Sequence, residues 1–137
     1  MLKENITLVK ENILKACLAT SRDPKKIILM GASKSQTIED IEKAYDYGIT
    51  HFGENYLQEA ESKINQIDKD IVWHFIGSIQ TRKTKKIATL FDWVHTVDNL
   101  KIAERLNEAR PISRGKLNIC LQVNIDNEDT KSGVPID

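Results

Sequence analysis

A chain of 137 residues is long enough to bury one core, and 40% hydrophobic with 29% charged residues is the balance of a folded globular domain, not a disordered one. Lys plus Arg equals Asp plus Glu at 20 each, so no net field draws the chain as a whole to nucleic acid or an anionic membrane, and any anion site must be local. No stretch reaches membrane-spanning length, no apolar signal core follows Met1, and Cys17 and Cys120 lie far apart without metal-ligand spacing, a pattern that predicts a cytoplasmic protein with reduced thiols.

Residues 2–19 carry Leu2, Ile6, Val9, Ile13, Leu14 and Leu18 at three- and four-residue spacings, one apolar stripe on a helix that Asp23-Pro24 stops. The unbroken apolar run Ile27 to Ala32 predicts a strand buried on both faces of a parallel sheet. Thr37 opens a capped helix that ends at Gly48. The unit then repeats: a strand over 49–52, a helix over 55–66, a strand over 71–76, a helix near 80–90, a strand over 93–97, a helix over 99–109 and a fifth strand over 117–123. Residues 124–137 read as loop. Five strands alternating with helices in units of about twenty residues signify α/β construction with right-handed crossovers. Pattern alone does not separate an open doubly wound sheet from part of a closed barrel. The absence of a helix after strand five favours part of a larger fold, with residues 1–137 as its single domain here.

Functional groups of parallel α/β folds collect where strands end. Those junctions are polar: Ser33-Lys34, Gly53-Glu54-Asn55, His74 with Gly77 and Gln80, Thr96 and Asp98, then Gln122 and Asn124. Lys34 follows six apolar residues, which predicts an ammonium at the mouth of a desolvated core. Desolvation favours the neutral amine that attacks an aldehyde; the alternative is a lysine that snorkels into water. His51, His74 and His95 fall on three neighbouring strands, but two of them sit mid-strand and no carboxylate or cysteine accompanies them, so the sequence assigns no metal and favours core histidines. Arg82 to Lys86 holds four positive charges that could meet phosphate groups or nucleic acid, but without interleaved aromatics a solvated helix face is favoured, with Lys83 open to turning toward the site.

The blocks Ala32-Ser33-Lys34, His51-Phe52-Gly53-Glu54-Asn55-Tyr56-Leu57-Gln58-Glu59, Trp73-His74-Phe75-Ile76-Gly77-Ser78-Ile79-Gln80 and Lys131-Ser132-Gly133 resemble, in order and spacing, the YggS/PROSC family of pyridoxal phosphate homeostasis proteins. The resemblance runs from residue 27 onward. It implies a partial (β/α)8 TIM-type barrel like the N-terminal domain of alanine racemase, with pyridoxal 5′-phosphate held as an aldimine on Lys34. Asn55 would lie near the cofactor, and His74, Gly77 and Gln80 in the surrounding strand-three loop. Family members exceed two hundred residues, and their phosphate-binding groups lie on later strands, so the resemblance implies the N-terminal part of the barrel. Half a barrel would expose two strand edges and an apolar face, and self-association through them is expected.

Three functions are in contention. The resemblance favours a carrier that holds pyridoxal phosphate and passes it to apo-enzymes that depend on it. A racemase acting through the same cofactor is the alternative, and it lacks a visible second base. A cofactor-free Schiff-base lyase using Lys34 is the third.

Overall fold

The computed structural model describes residues 1–137. An N-terminal helix, α1 (Leu2–Ala19), precedes five strands that alternate with four helices: β1 (Met30–Ala32), α2 (Ile38–Asp46), β2 (His51–Glu54), α3 (Leu57–Gln66), β3 (Val72–Phe75), α4 (Thr84–Leu90), β4 (Trp93–Val97), α5 (Leu100–Ala109) and β5 (Asn118–Leu121). The strands form one sheet in the order β1-β2-β3-β4-β5, every pair parallel. No helix is long and apolar enough to cross a membrane.

Local chemistry explains where the helices begin and end. The Thr37 hydroxyl accepts from the Asp40 backbone N–H at 3.1 Å, and Asn99 Oδ1 accepts from the Ile102 N–H at 2.9 Å, so α2 and α5 are each capped by a side chain. Gly48 ends α2 at φ 92°, a conformation that favours glycine. Lys10 of α1 reaches the same end, donating to the Tyr47 and Gly48 carbonyls at 3.1 and 3.2 Å. Arg110 does likewise for α4, with Nη1 2.7 Å from both the Ala88 and Phe91 carbonyl oxygens.

Alternation along the strands sends Phe52, Trp73, Phe75 and Val94 to the helix-covered face. There they pack with Ile41, Leu57, Ala60, Ile87, Ile102 and Leu106 in one continuous core. Phe75 meets Phe91 edge to face at 5.2 Å between ring centres. A register shift between Val94 and Val97 turns both valines onto this face.

Three expectations are corrected. The first strand is three residues long rather than the six of 27–32, and it is not buried on both faces: Ile28 is exposed and Ala32 ends the strand in solvent. The reason is its place at the sheet edge, where it pairs with β2 alone. The stripe on α1 is only partly covered: Val9, Leu14 and Leu18 remain exposed, and the one buried residue of the helix is Cys17, outside the stripe. On the opposite flank Ile119, Leu121 and Val123 are exposed too. Segment 124–137 is not simple loop, since Val134 forms a parallel bridge to Val123, with the Val134 N–H donating to the Gln122 carbonyl at 2.9 Å.

Removing the Phe75 ring, which is 2% exposed, should leave a cavity between β3 and α4. Phe75→Ala is expected to cost about 3–5 kcal/mol, read as a lower midpoint in urea denaturation.

Candidate functional site

The parallel register fixes which rim residues become neighbours. Ala32 pairs with Gly53, and Gly53 with His74, so Lys34 and Asn55 each emerge two residues beyond a paired position on adjacent strands. The Ser33 N–H continues the ladder to the Gly53 carbonyl at 2.9 Å, and the Ile76 N–H does so to the Glu54 carbonyl at 2.9 Å. Thr96 donates its hydroxyl proton to the Gly77 carbonyl at 2.5 Å. The carboxyl ends of the first four strands are thereby stitched into one rim.

Gly77 is buried against the backbone of Asn55: a Cβ at that position would stand 2.0 Å from the Asn55 carbonyl oxygen. Only a glycine allows the loops after β2 and β3 to approach so closely. Asn55 itself is half-buried, and its Oδ1 is buried without a hydrogen-bond partner. A buried acceptor left unpaired costs free energy, which a donor on a bound molecule would recover.

Lys34 lies on the turn after β1 and is exposed. The desolvated amine expected from the apolar run is therefore not found in this chain, because an edge strand and an uncovered inner face leave the turn open to water. What the turn has instead is a buried polar cluster behind it. Lys63 of α3, 5% exposed, directs Nζ to Glu54 Oε1 at 2.8 Å, to Glu59 Oε1 at 2.6 Å and to the Ser33 carbonyl at 2.8 Å. The Ser33 hydroxyl donates to Glu54 Oε1 at 2.9 Å, and the Ser35 N–H to Glu59 Oε1 at 2.7 Å. Lys63 beside it holds the Glu59 carboxyl below the usual range. Glu59 and Lys63 stand at i,i+4, a spacing that ordinary surface pairs on helices share. The signal of something else is that Lys63 falls on the same helix face as Ala60, among the apolar positions of α3.

His74 lies on β3, as the strand expected over 71–76 implies, and faces away from the helices. It joins three rings in a row across β2, β3 and β4: His51 Nδ1 is 2.8 Å from His74 Nε2, and His74 Nδ1 is 2.8 Å from His95 Nε2. Trp93 stacks on His74 with 9° between the planes. His74 spends both nitrogens on its neighbours, so the rings form a line and do not converge on a common point as metal ligands would. Each of the two contacts takes one N–H donor and one bare nitrogen, so in the neutral form the proton sits on the same ring position throughout the row. Burial, aided by repulsion from His95 and His51, lowers the His74 pKa to about 4. Burial lowers His95 as well.

A family model for the N-terminal domain of alanine racemase matches residues 6–137. The chain belongs to that family. Within it, the chain is 48% identical over 131 residues to a pyridoxal phosphate homeostasis protein of Pseudomonas aeruginosa, covering 95% of this chain and 57% of that one. It is 40% identical to the protein of the same name from Escherichia coli, over 96% of this chain and 58% of the relative. Among solved structures, PipY of Synechococcus elongatus with pyridoxal phosphate bound superimposes with a TM-score of 0.76 at 31% identity, over 98% of this chain and 58% of PipY. An uncharacterised protein of Bifidobacterium adolescentis gives 0.80 at 28% identity, over 97% of this chain and 58% of that one. The chain thus spans somewhat over half the length of the relatives it matches. The α/β class and the partial racemase-type barrel read from the sequence both hold.

The His74 shift has a definite sign. A histidine whose folded pKa lies near 4 resists protonation that the unfolded chain accepts near 6.5, so stability is full above about pH 6.5 and falls as pH drops toward 4. Ring carbon chemical shifts should show His74 neutral at about pH 5, and the site should account for a loss on the order of 2 kcal/mol between about pH 7 and 5 in denaturant titrations. A His74→Phe variant should lack that portion of the pH dependence.

Proposed function

We propose that residues 1–137 form the N-terminal domain of a pyridoxal 5′-phosphate-binding (β/α) barrel that serves intracellular vitamin B6 homeostasis, with Lys34 as the point of cofactor attachment. The observation that carries this reading is the pairing on one rim of a free amine with a buried, unpartnered amide oxygen, Lys34 beside Asn55, in a chain of the alanine racemase N-terminal family. The names of its relatives and the cofactor-bound PipY structure support the choice of ligand.

The residues present fit the cofactor. When bound, it supplies an aldehyde that condenses with an unprotonated amine and releases water. Lys34 offers the amine from a turn open to entry. Asn55 offers Oδ1 to a hydrogen-bond donor, and Gly77 keeps the rim compact beneath it. His74, neutral at physiological pH, leaves the inner face of the sheet without a buried positive charge that would compete for an anionic ligand.

As a carrier the protein would hold the cofactor and hand it to apo-enzymes that require it, in the cytoplasm, where Cys17 and Cys120 stay as free thiols. It would use neither nucleic acid nor a membrane as a partner. The exposed flanks at α1 and β5, with an apolar cleft of about 400 Å³ between α1 and β1, favour association with a second copy or a complementary segment. The family's racemase name favours one further reading, a cofactor-dependent amino-acid racemase. Interconversion of D- and L-alanine by the whole protein would establish it.

Borohydride reduction after incubation with pyridoxal phosphate, followed by peptide mass mapping, should place the pyridoxyl group on Lys34; recovery on another lysine overturns the assignment. Lys34→Ala should abolish the absorbance change on mixing. Sedimentation of the 137-residue chain at micromolar concentration should give a species larger than a monomer, and a monodisperse monomer would refute self-association.

A further inference from the structure

The two carboxylates and one ammonium behind the β1 rim do more than join α3 to β2. Lys63 Nζ donates to the Ser33 carbonyl, which belongs to the peptide group entering Lys34. Glu59 Oε1 accepts from the Ser35 N–H, which belongs to the peptide group leaving it. One i,i+4 pair on α3 therefore grips both peptide planes that flank the Lys34 Cα. Glu54, fully buried, holds Lys63 from behind at 2.8 Å and also accepts from the Ser33 hydroxyl at 2.9 Å. The turn needs such support. Ser35 adopts φ 61°, a left-handed conformation that costs a non-glycine residue energy and persists only where surrounding contacts impose it.

We propose that Glu59 and Lys63, backed by Glu54, form a positioning clamp that fixes the backbone of Lys34 and so aims its amine across the rim. This rests on the reading of Lys34 as the attachment point. None of the three clamp residues touches the cofactor in this scheme. An exposed lysine on a free turn would sample many orientations and react as any surface lysine does. A lysine whose two flanking peptide groups are held has only its side-chain rotations left, and holding a reacting group near its productive orientation raises its rate.

Glu59 is the residue to change, because it is one-third exposed and its loss leaves the buried Glu54–Lys63 pair intact, so the chain should still fold. Two readouts separate the clamp from the cofactor. In cofactor-free protein, amide hydrogen exchange should show Ser35 protected in the unmodified chain, unprotected in Glu59→Ala and protected again in Glu59→Gln, whose amide oxygen can accept the same bond. On addition of pyridoxal phosphate, the condensation rate followed by absorbance should fall roughly tenfold or more in Glu59→Ala. Borohydride label should then spread from Lys34 to other lysines, and Glu59→Gln should restore both rate and selectivity. The proposal fails if Glu59→Ala loses Ser35 protection yet keeps its rate and its label on Lys34, or if Ser35 protection does not depend on Glu59. Label on a different lysine in the unmodified protein would remove the attachment reading and the aiming role with it. The exchange data would then still report whether the grip on the turn exists.

Discussion

Five parallel strands must all end at the same edge of the sheet, and everything else about this molecule follows from that constraint. Each strand needs a crossover to return the chain to the starting edge, and the crossovers are the helices that cover one face. The opposite edge receives every turn that follows a strand, so Lys34, Asn55, Gly77 and Thr96 meet there although more than sixty residues separate the first from the last. Register does the fine placement: a one-residue slip between β1 and β2 would turn the side chains of one strand to the other face and break the rim.

The two faces of the sheet solve different electrostatic problems. On the helix side, the Lys63 ammonium and the Glu54 carboxylate are removed from water, and Lys63 is tolerable there because each of its three protons has an acceptor within 2.8 Å, while Glu54 Oε2 is left without a partner. On the open side, the polar groups are imidazoles that satisfy one another, and burial disfavours charge on His74 and His95. Ionic bonds therefore support the turn that carries Lys34, while hydrogen-bonded rings floor the sheet beneath the rim.

Much of this was legible in the sequence, for identifiable reasons. Hydrophobic period, helix caps at Thr37 and the Gly48 stop locate α2, and Trp93–Val97 is read to the residue because apolar β-formers are bounded by polar turns on both sides. The rim residues are legible because strand ends are where polar groups interrupt apolar runs. Two things were not. Whether Lys34 is dry depends on what covers a neighbouring strand, and an apolar run looks the same at an edge as at the centre. The partners of Lys63 come from residues nine positions away and from a turn thirty positions away, and local spacing does not encode such pairings.

The row of imidazoles carries a consequence of its own. Rings linked head to tail permit, in their neutral form, two proton patterns, all on Nδ1 or all on Nε2, and nothing between them without a broken bond. Whatever fixes the tautomer of His95 on β4 thereby dictates which nitrogen of His51 is bare on β2, two strands away. The two ring contacts thus couple β2, β3 and β4 through side chains alone, with no displacement of backbone.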